Sequence, residues 1–163
     1  MPGCGKSTIG RAVASRLALR YVDCDAAIEF RAGCSIAAFF EANGESAFRE
    51  LEANVLESVV HDRDSMIATG GGVVLRPSNR ELLRARTRCV YLRASDALLW
   101  RRLRRDRRRP LLQVKDPQDR LQRMSAEREP LYEQTAHVVI DTDGMSFQRL
   151  VDQVVHCLQP APT

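Results

Sequence analysis

The segment GCGKST, at residues 3–8, is the most informative part of this sequence for its fold. Glycines at this spacing allow successive backbone N–H groups to point inward at a polyphosphate, and a helix that begins at Lys6 adds its positive N-terminal end. Lys6 would contact the β- and γ-phosphates, while the Ser7 hydroxyl would bind Mg²⁺. A glycine-rich turn before an ordinary helix is the alternative, but acidic residues that suit the phosphate interpretation come later. The predicted nucleotide-binding residues of the loop are Gly3, Cys4, Gly5, Lys6, Ser7 and Thr8.

The hydrophobic strand that should precede such a loop is absent from the sequence. In the full pattern G-x-x-x-x-G-K-[ST], the first glycine would stand one residue before Met1. That strand lies centrally in a doubly wound sheet, so its absence would leave two neighbouring strands without a partner. We expect that the sequence begins at an internal methionine and that the native product carries roughly ten more residues, enough for one strand and the missing glycine. The alternative is a truncated, poorly active chain.

Downstream of the loop, short apolar strands alternate with amphipathic helices. Strands are predicted at 20–23, 65–69, 89–92 and 137–140. Helices are predicted at 9–19, 25–32, 36–42, 46–60, 77–86, 96–105, 117–129 and 147–158. The pattern favours an α/β fold, a single-domain three-layer α/β/α architecture with a parallel sheet, over residues 1–163. No repeat, linker or second core is indicated.

The positive charge of the chain is concentrated in one short run. The 163 residues carry a formal net charge of +4, but residues 101–109, RRLRRDRRR, carry +6 and the remainder −2. This predicts a local anionic ligand more than a general nucleic-acid surface, although a solvated helix face is the alternative for most of these arginines. The five cysteines form no C-x-x-C pair, and no apolar run reaches the ~18–20 residues of a membrane span. We therefore expect a cytoplasmic protein.

Two aspartates stand at the end of the strand predicted at 20–23. Ligands of open α/β sheets bind outside the carboxyl ends of the strands, and alternation would put Asp23 and Asp25 on the same side of an extended segment. Asp23 could then hold Mg²⁺ through water while Asp25 accepts a proton from a substrate hydroxyl. The alternative is that Asp25 only caps the helix that follows.

Further along the chain, residues suited to a carboxylated substrate occur in three places. Arg49 and Glu52 are three apart on a predicted helix, where the guanidinium could hold a carboxylate and Glu52 could hold the guanidinium. Gly-Gly-Gly at 70–72 offers backbone N–H donors to an anion, and Arg128 is a second potential carboxylate partner. A surface ion pair and a tight strand exit are the alternatives, so each signal is weak by itself.

Together these motifs closely resemble the shikimate kinase family. The matching segments are G-C-G-K-S-T at 3–8, D-C-D at 23–25, S-I-x-x-F-F-E-x-x-G-E-x-x-F-R-x-x-E at 35–52, G-G-G at 70–72, R-P-L-L at 109–112 and R-x-P-L-Y at 128–132. The resemblance covers nearly the whole chain and implies a fold of P-loop kinase type. It also implies transfer of a phosphoryl group from ATP, with Mg²⁺, to the 3-hydroxyl of shikimate in the biosynthesis of chorismate and aromatic amino acids.

The same resemblance implies roles for individual residues. Residues assigned to catalysis are Asp25, Lys6 and Arg109. Residues assigned to shikimate are Asp25, Arg49, Gly71, Gly72, Arg128, Phe40 and Phe48. Besides the loop, Arg102 and Arg109 are assigned to ATP, with Arg109 in a lid at about 106–116. Arg101 and Arg105 are possible substitutes for Arg102. Ser7 and Asp23 are assigned to Mg²⁺. Shikimate would bind in a helical segment at about 26–60, and we expect a monomer with no nucleic-acid or membrane partner.

Two other classes of protein remain as alternative interpretations of the sequence. One is a related small-molecule kinase that acts on gluconate or a nucleoside monophosphate, from which the Arg49 and Arg128 pair beside D-x-D would distinguish the chain. The other is an inactive nucleotide-binding or nucleic-acid-binding protein, given the incomplete loop and the arginine run. The sequence lacks the interleaved aromatics of a base-stacking surface, which disfavours nucleic acid.

Overall fold

The computed structural model describes residues 1–62, 64–104, 114 and 116–159. Helices alternate with short strands over these residues, as the sequence predicts. The helices are α1 (Lys6–Arg16), α2 (Cys24–Ala32), α3 (Ile36–Val60), α4 (Pro77–Arg86), α5 (Asp96–Leu103), α6 (Pro117–Thr135) and α7 (Phe147–Leu158). The strands are β1 (Arg20–Asp23), β2 (Ser65–Ala68), β3 (Val90–Arg93) and β4 (Val138–Asp141). A 3₁₀ turn at Val73–Leu75 follows the three glycines.

All strand pairing in the described residues is parallel, and it forms two separate pairs. β1 pairs with β2, with Val22 opposite Ile67, and β3 pairs with β4, with Leu92 opposite Ile140. β2 and β3 have no further strand partner within the described ranges. A cavity of about 610 Å³, lined largely by apolar residues of α1, β2 and β3, lies between the two pairs. The parallel sheet therefore consists, over the described residues, of two separate strand pairs.

Two apolar clusters hold the elements together. The larger one joins the helices to both strand pairs, and its fully buried members include Val13, Leu56, Leu99, Leu121 and Ile140. The smaller one, in which Ile28, Phe48 and Val55 are buried, fixes α2 against α3. The segment at 26–60 thus contributes to both clusters, since Leu56 of α3 belongs to the larger one. No helix in the described residues is both long and apolar enough to cross a membrane.

Local signals in the sequence predict most helix ends correctly. Ser35 and Ser95 cap α3 and α5, because each hydroxyl accepts a hydrogen bond from the backbone N–H three residues later. Gly33 ends α2 in the left-handed conformation, at φ 68°. These interactions join residues that are close in the chain, which is why the sequence alone indicates them.

The predicted break between the helices at 36–42 and 46–60 is present inside α3, because the backbone at Gly44 is not helical (φ 77°, ψ 178°) and the element is kinked there. One predicted helix end is wrong. α6 does not stop at residue 129 but continues through Pro130 to Thr135. A proline removes the hydrogen bond to the carbonyl four residues earlier, here that of Ala126. Both residues are exposed, so water can satisfy that carbonyl, while the turn beyond Pro130 buries Tyr132 and Thr135.

Candidate active site

The phosphate loop is shaped by two glycines in the left-handed region. Gly3 has φ 78° and Gly5, which directly precedes α1, has φ 95°. A Cβ on Gly3 would also lie 2.9 Å from Cγ of Leu103, so the loop packs closely on α5. α1 begins at Lys6, and its first N–H groups therefore face the loop as the sequence predicts.

The side chain of Lys6 folds back over the loop. Its Nζ donates to the carbonyl oxygen of Met1 at 2.8 Å and lies 3.8 Å from Sγ of Cys4. Cys4 is buried, and burial by itself raises the pKa of its thiol, but its polar surroundings, above all the positive charge of Lys6, lower that pKa overall. The loop thus concentrates positive charge, which suits an anionic ligand.

Of the arginines in the run at 101–109, Arg102 contacts the loop directly. Its Nη1 donates to the carbonyl oxygen of Gly3 at 3.0 Å, which places the guanidinium at the edge of the phosphate loop. Arg101 is exposed on the same helix. Arg105 and Arg109, and most of the lid predicted at 106–116, lie outside the described residues.

The two aspartates of D-C-D have different structural roles. Oδ1 of Asp23 accepts a hydrogen bond from the backbone N–H of Asp25 at 3.1 Å, so Asp23 is the N-cap of α2. The alternative in which Asp25 caps this helix is therefore wrong. The predicted alternation is also wrong, because β1 ends at Asp23 and Asp25 already lies in the first turn of α2. A helical turn, and not a strand, sets the direction of the Asp25 carboxylate.

A hydroxyl that the sequence analysis did not single out holds Asp23 from its other side. The hydroxyl of Tyr21 donates to Oδ2 of Asp23 at 3.1 Å and also lies near the side chain of Ser7. Tyr21 therefore links the strand end to the phosphate loop. Tyr21 and Asp23 are two residues apart in β1, a spacing that places both side chains on one face of a strand, and this spacing was the signal in the sequence that could have indicated the contact.

Arg49 is held by carboxylates of its own helix. Its Nη1 lies 2.8 Å from Oε2 of Glu52, and its Nη2 lies 3.0 Å from Oε1 of Glu45. Burial opposes the charge of the guanidinium, but these two partners outweigh it and raise the pKa of Arg49 above its usual value. Burial likewise raises the pKa of Glu52, against the attraction of Arg49. The predicted ion pair is thus an internal one and not an ordinary surface pair.

The three glycines at 70–72 form a turn on which the other groups converge. A Cβ on Gly70 would lie 2.9 Å from Oδ1 of Asp25 and 3.1 Å from Oε1 of Glu52. A Cβ on Gly72 would lie only 2.1 Å from Nη1 of Arg49. Because Gly70 and Gly72 have no side chains, a carboxylate and a guanidinium can rest against the backbone of the turn.

Arg128 reaches the same turn from α6. Its Nη1 donates to the carbonyl oxygen of Gly71 at 3.3 Å, and the residue is 4% exposed. Its Nε is buried and has no hydrogen-bond partner among the residues that the structure describes. A buried donor of this kind is costly unless a ligand or water satisfies it. Arg49 and Arg128 are thus brought to neighbouring residues of one turn, with Asp25 beside them.

The glycine turn also adjoins the phosphate loop. A Cβ on Gly71 would lie 3.7 Å from Cδ of Pro2, one residue before the loop begins. Lys6, Gly70 and Gly71 also line the cavity between the two strand pairs. The described groups therefore form one site, with positive charge and backbone N–H groups at one end and a carboxylate with two guanidiniums at the other.

The two predicted aromatic walls differ in exposure. Phe48 is 4% exposed and belongs to the smaller apolar cluster, whereas Phe40 is only half-buried. Their ring centroids are 4.3 Å apart, and the guanidinium carbon of Arg49 lies 5.3 Å from the Phe48 centroid. Phe48 therefore supports Arg49 from behind, and Phe40 is the more accessible of the two rings.

Two contacts of the site join residues far apart in the chain and were not predicted. Nη1 of Arg76 donates to the carbonyl oxygen of Arg49 at 3.2 Å. The hydroxyl of Tyr132 donates to the carbonyl oxygen of Gly71 at 2.5 Å. Tyr132 follows Arg128 by four residues, a helical spacing that puts both on one face, but the sequence does not show what that face contacts.

Comparison with known proteins gives a consistent result. Residues 2–159 match the family model described as shikimate kinase. The chain is similar to the shikimate kinase of Aromatoleum aromaticum, with 43% identity over 159 residues that make up 98% of this chain and 91% of the relative. It is also similar to the shikimate kinase of Paracidovorax citrulli, with 46% identity over an alignment of 164 positions that covers 99% of this chain and 90% of the relative.

Solved structures show the same similarity at the level of the fold. The shikimate kinase of Acinetobacter baumannii, solved in complex with shikimate, superposes with a TM-score of 0.91 and 37% identity over 94% of this chain and 86% of that chain. The shikimate kinase of Aquifex aeolicus superposes with a TM-score of 0.84 and 26% identity over 97% of this chain and 92% of that chain. The predicted α/β fold is thereby confirmed.

Proposed function

The chain belongs to the shikimate kinase family, and from this premise we infer that it transfers the γ-phosphoryl group of ATP to the 3-hydroxyl of shikimate, in the biosynthesis of chorismate and aromatic amino acids. One observation carries the assignment to this site. The turn at Gly70–Gly72 gathers Arg49, Arg128 and Asp25 next to the phosphate loop. Such a site suits a compact acid that must lie beside a bound nucleotide.

The two guanidiniums would bind the carboxylate of shikimate. The buried Nε of Arg128 supplies a donor without a partner among the described residues, and Arg49 is held in place by Glu52. Charge-assisted hydrogen bonds of guanidinium to carboxylate are among the stronger polar contacts in proteins. The backbone N–H groups of Gly71 and Gly72 would add donors, while Phe40, backed by Phe48, would wall the ring of the substrate.

Asp25 would act on the attacking hydroxyl. Its carboxylate lies against Gly70, at the same turn as both guanidiniums, so a substrate held by its carboxylate could present a hydroxyl to it. As the oxygen of that hydroxyl bonds to the γ-phosphorus, its proton passes to the carboxylate of Asp25, and the bond from phosphorus to the β–γ bridging oxygen breaks to leave ADP. The step needs little covalent chemistry from the protein.

Positive charge around the transferring group would supply most of the acceleration. The transition state spreads negative charge over the equatorial oxygens, and Lys6, released from its contact with Met1, would meet it. Arg109 would close over the same group from the lid at about 106–116. Arg102, which contacts the phosphate loop, is the arginine that we place next to adenine.

Mg²⁺ fits the donors at the end of β1. Mg²⁺ prefers oxygen ligands, usually one or two carboxylates together with the substrate phosphates, and Ser7 and Asp23 both lie beside the hydroxyl of Tyr21. Ser7 would hold the ion directly and Asp23 through water. When bound, Mg²⁺ would neutralise charge on the β- and γ-phosphates.

We also propose the organisation and setting of the enzyme. Residues 1–163 would form one domain in which the segment at about 26–60 binds shikimate, and the protein would act as a cytoplasmic monomer without a nucleic-acid or membrane partner. The free thiols of the five cysteines support a reducing compartment. The contact of Arg102 with the phosphate loop supports a nucleotide, and not a nucleic acid, as the anion served by the arginine run.

The other kinases and the inactive binding protein are not favoured. Neither gluconate kinases nor nucleoside monophosphate kinases are among the relatives described above, which are shikimate kinases over nearly the full chain. The deciding experiment is an ADP-release assay with Mg·ATP, with and without shikimate, in which gluconate and nucleoside monophosphates serve as control acceptors. We expect ADP release that depends on shikimate alone. Release of equal amounts with gluconate, or none with shikimate, would contradict the proposal.

A further inference from the structure

The carbonyl of Gly71 is the most strongly bound backbone group of the glycine turn. It accepts one hydrogen bond from the hydroxyl of Tyr132 at 2.5 Å and a second, longer one from Nη1 of Arg128 at 3.3 Å. Tyr132 and Arg128 are four residues apart on α6, so both donors come from one face of one helix. The shorter bond, from Tyr132, fixes the direction of the carbonyl, and the longer bond, from Arg128, supports the same direction.

The phenol that makes the shorter bond has little freedom to move. Tyr132 is 8% exposed, and its ring stacks on that of Tyr91 in β3 with the centroids 4.9 Å apart and the planes inclined by 25°. Burial raises the pKa of its hydroxyl to about 12, so the hydroxyl stays protonated and can donate at any pH at which the enzyme would work. A rigid donor is therefore aimed at a single backbone oxygen.

The direction of that oxygen determines the direction of a neighbouring donor. The peptide bond between Gly71 and Gly72 is planar and trans, so the carbonyl of Gly71 and the N–H of Gly72 point in opposite directions. A hydrogen bond that holds the carbonyl toward α6 consequently holds the N–H of Gly72 away from it. Glycines have no side chains to keep this peptide from rotating, and the turn depends on an outside contact for its orientation.

We propose that Tyr132 is a positioning residue for shikimate, whose hydroxyl orients the Gly71–Gly72 peptide so that the N–H of Gly72 faces the substrate. This inference rests on the proposed function, because it assigns that N–H to shikimate. It adds a residue that does not touch the substrate and acts through the backbone. Loss of the hydroxyl is expected to weaken shikimate binding and to leave the nucleotide end of the site as it is.

The test compares Tyr132→Phe with Tyr91→Phe. The first change removes only the hydroxyl that holds Gly71, while the second keeps the ring stack and leaves the Tyr132 hydroxyl in place. Tyr132→Phe should raise the KM for shikimate by about three- to tenfold, the range expected for one hydrogen bond, with the KM for ATP and kcat changed less than twofold. Tyr91→Phe should match the wild-type enzyme in all three constants.

Thermal melting and calorimetric titration of shikimate complete the experiment. An unchanged KM and Kd for shikimate in Tyr132→Phe would overturn the inference. A higher KM for ATP together with a lower kcat and a lower melting temperature would overturn it as well, because such changes indicate a structural role only. If Tyr132→Phe fails to fold, Tyr132→His, which keeps a buried ring with a donor, must retain tighter shikimate binding than Tyr132→Leu. Wild-type protein that neither binds nor phosphorylates shikimate would overturn the proposed function, and with it this inference, whereas an active wild type with an unaffected variant overturns the inference alone.

Discussion

Replacing Gly72 with alanine would place a methyl group in the space that the guanidinium of Arg49 occupies. The new Cβ would lie 2.1 Å from Nη1, 2.6 Å from Cζ and 2.7 Å from Nη2 of Arg49. Ordinary contacts begin at about 3.4 Å, so the guanidinium would have to withdraw by about 1.3 Å. The backbone of Gly72, at φ −97° and ψ −5°, accepts alanine without strain, and the displacement of Arg49 is the main consequence.

The expected loss follows from this displacement. Misplacing a substrate-binding group by about 1 Å can reduce activity by about 100-fold, which corresponds to about 2.7 kcal/mol. The loss should fall mainly on the KM for shikimate, because Arg49 would bind a carboxylate that does not react. Stability should change little, since the end of a flexible side chain can move; a cost of about 1 kcal/mol would lower the melting temperature by about 2–4 °C.

The assay is ADP release at varied shikimate, with melting followed by circular dichroism. The control is a double-mutant cycle with Arg49→Ala: if Gly72→Ala acts through Arg49, it should cause little further loss once that side chain is gone. The same substitution at Gly71 would bring Cβ only to 3.5 Å from the Tyr132 hydroxyl, and we expect a smaller effect there. A folded Gly72→Ala enzyme with kcat/KM within threefold of wild type would refute the reasoning, as would a full loss in the Arg49→Ala background.

Three further changes have definite expected outcomes. Asp25→Asn should abolish most turnover while shikimate binding and melting persist, because an amide cannot accept the proton; near-normal kcat would exclude Asp25 as the base. Arg49→Ala should raise the KM for shikimate by about tenfold or more with a smaller change in kcat, and an unaltered KM would contradict its role as a carboxylate partner. In the folded protein at pH 8, iodoacetamide should modify exposed Cys34 before Cys24, because Cys24 is buried and burial, with the charge of nearby Asp25, raises the pKa of its thiol to about 12. Mass spectrometry would check this order, and equal labelling of both cysteines before unfolding would count against it.

The sequence predicted those features that depend on residues close together in the chain. The start of α1 at Lys6, the serine caps of α3 and α5 and the left-handed end of α2 at Gly33 are of this kind. Each is fixed by a bond or a backbone conformation that spans only a few residues, so neighbouring residue types suffice to indicate it. The motifs also indicated which arginines and which aspartate to examine.

Contacts between distant parts of the chain were decided by the tertiary structure. The sequence predicts that α6 ends at Glu129, but packing of the following turn carries the helix on to Thr135, so that Tyr132 contacts Gly71, 61 residues away. That Arg49 lies against Gly72 also depends on how α3 and the glycine turn are placed in space. A residue with poor helix propensity costs a helix at most a few kcal/mol, and burial of a helix face can outweigh that cost. The residues that orient the site can therefore be identified only once the packing of the helices and strands is known.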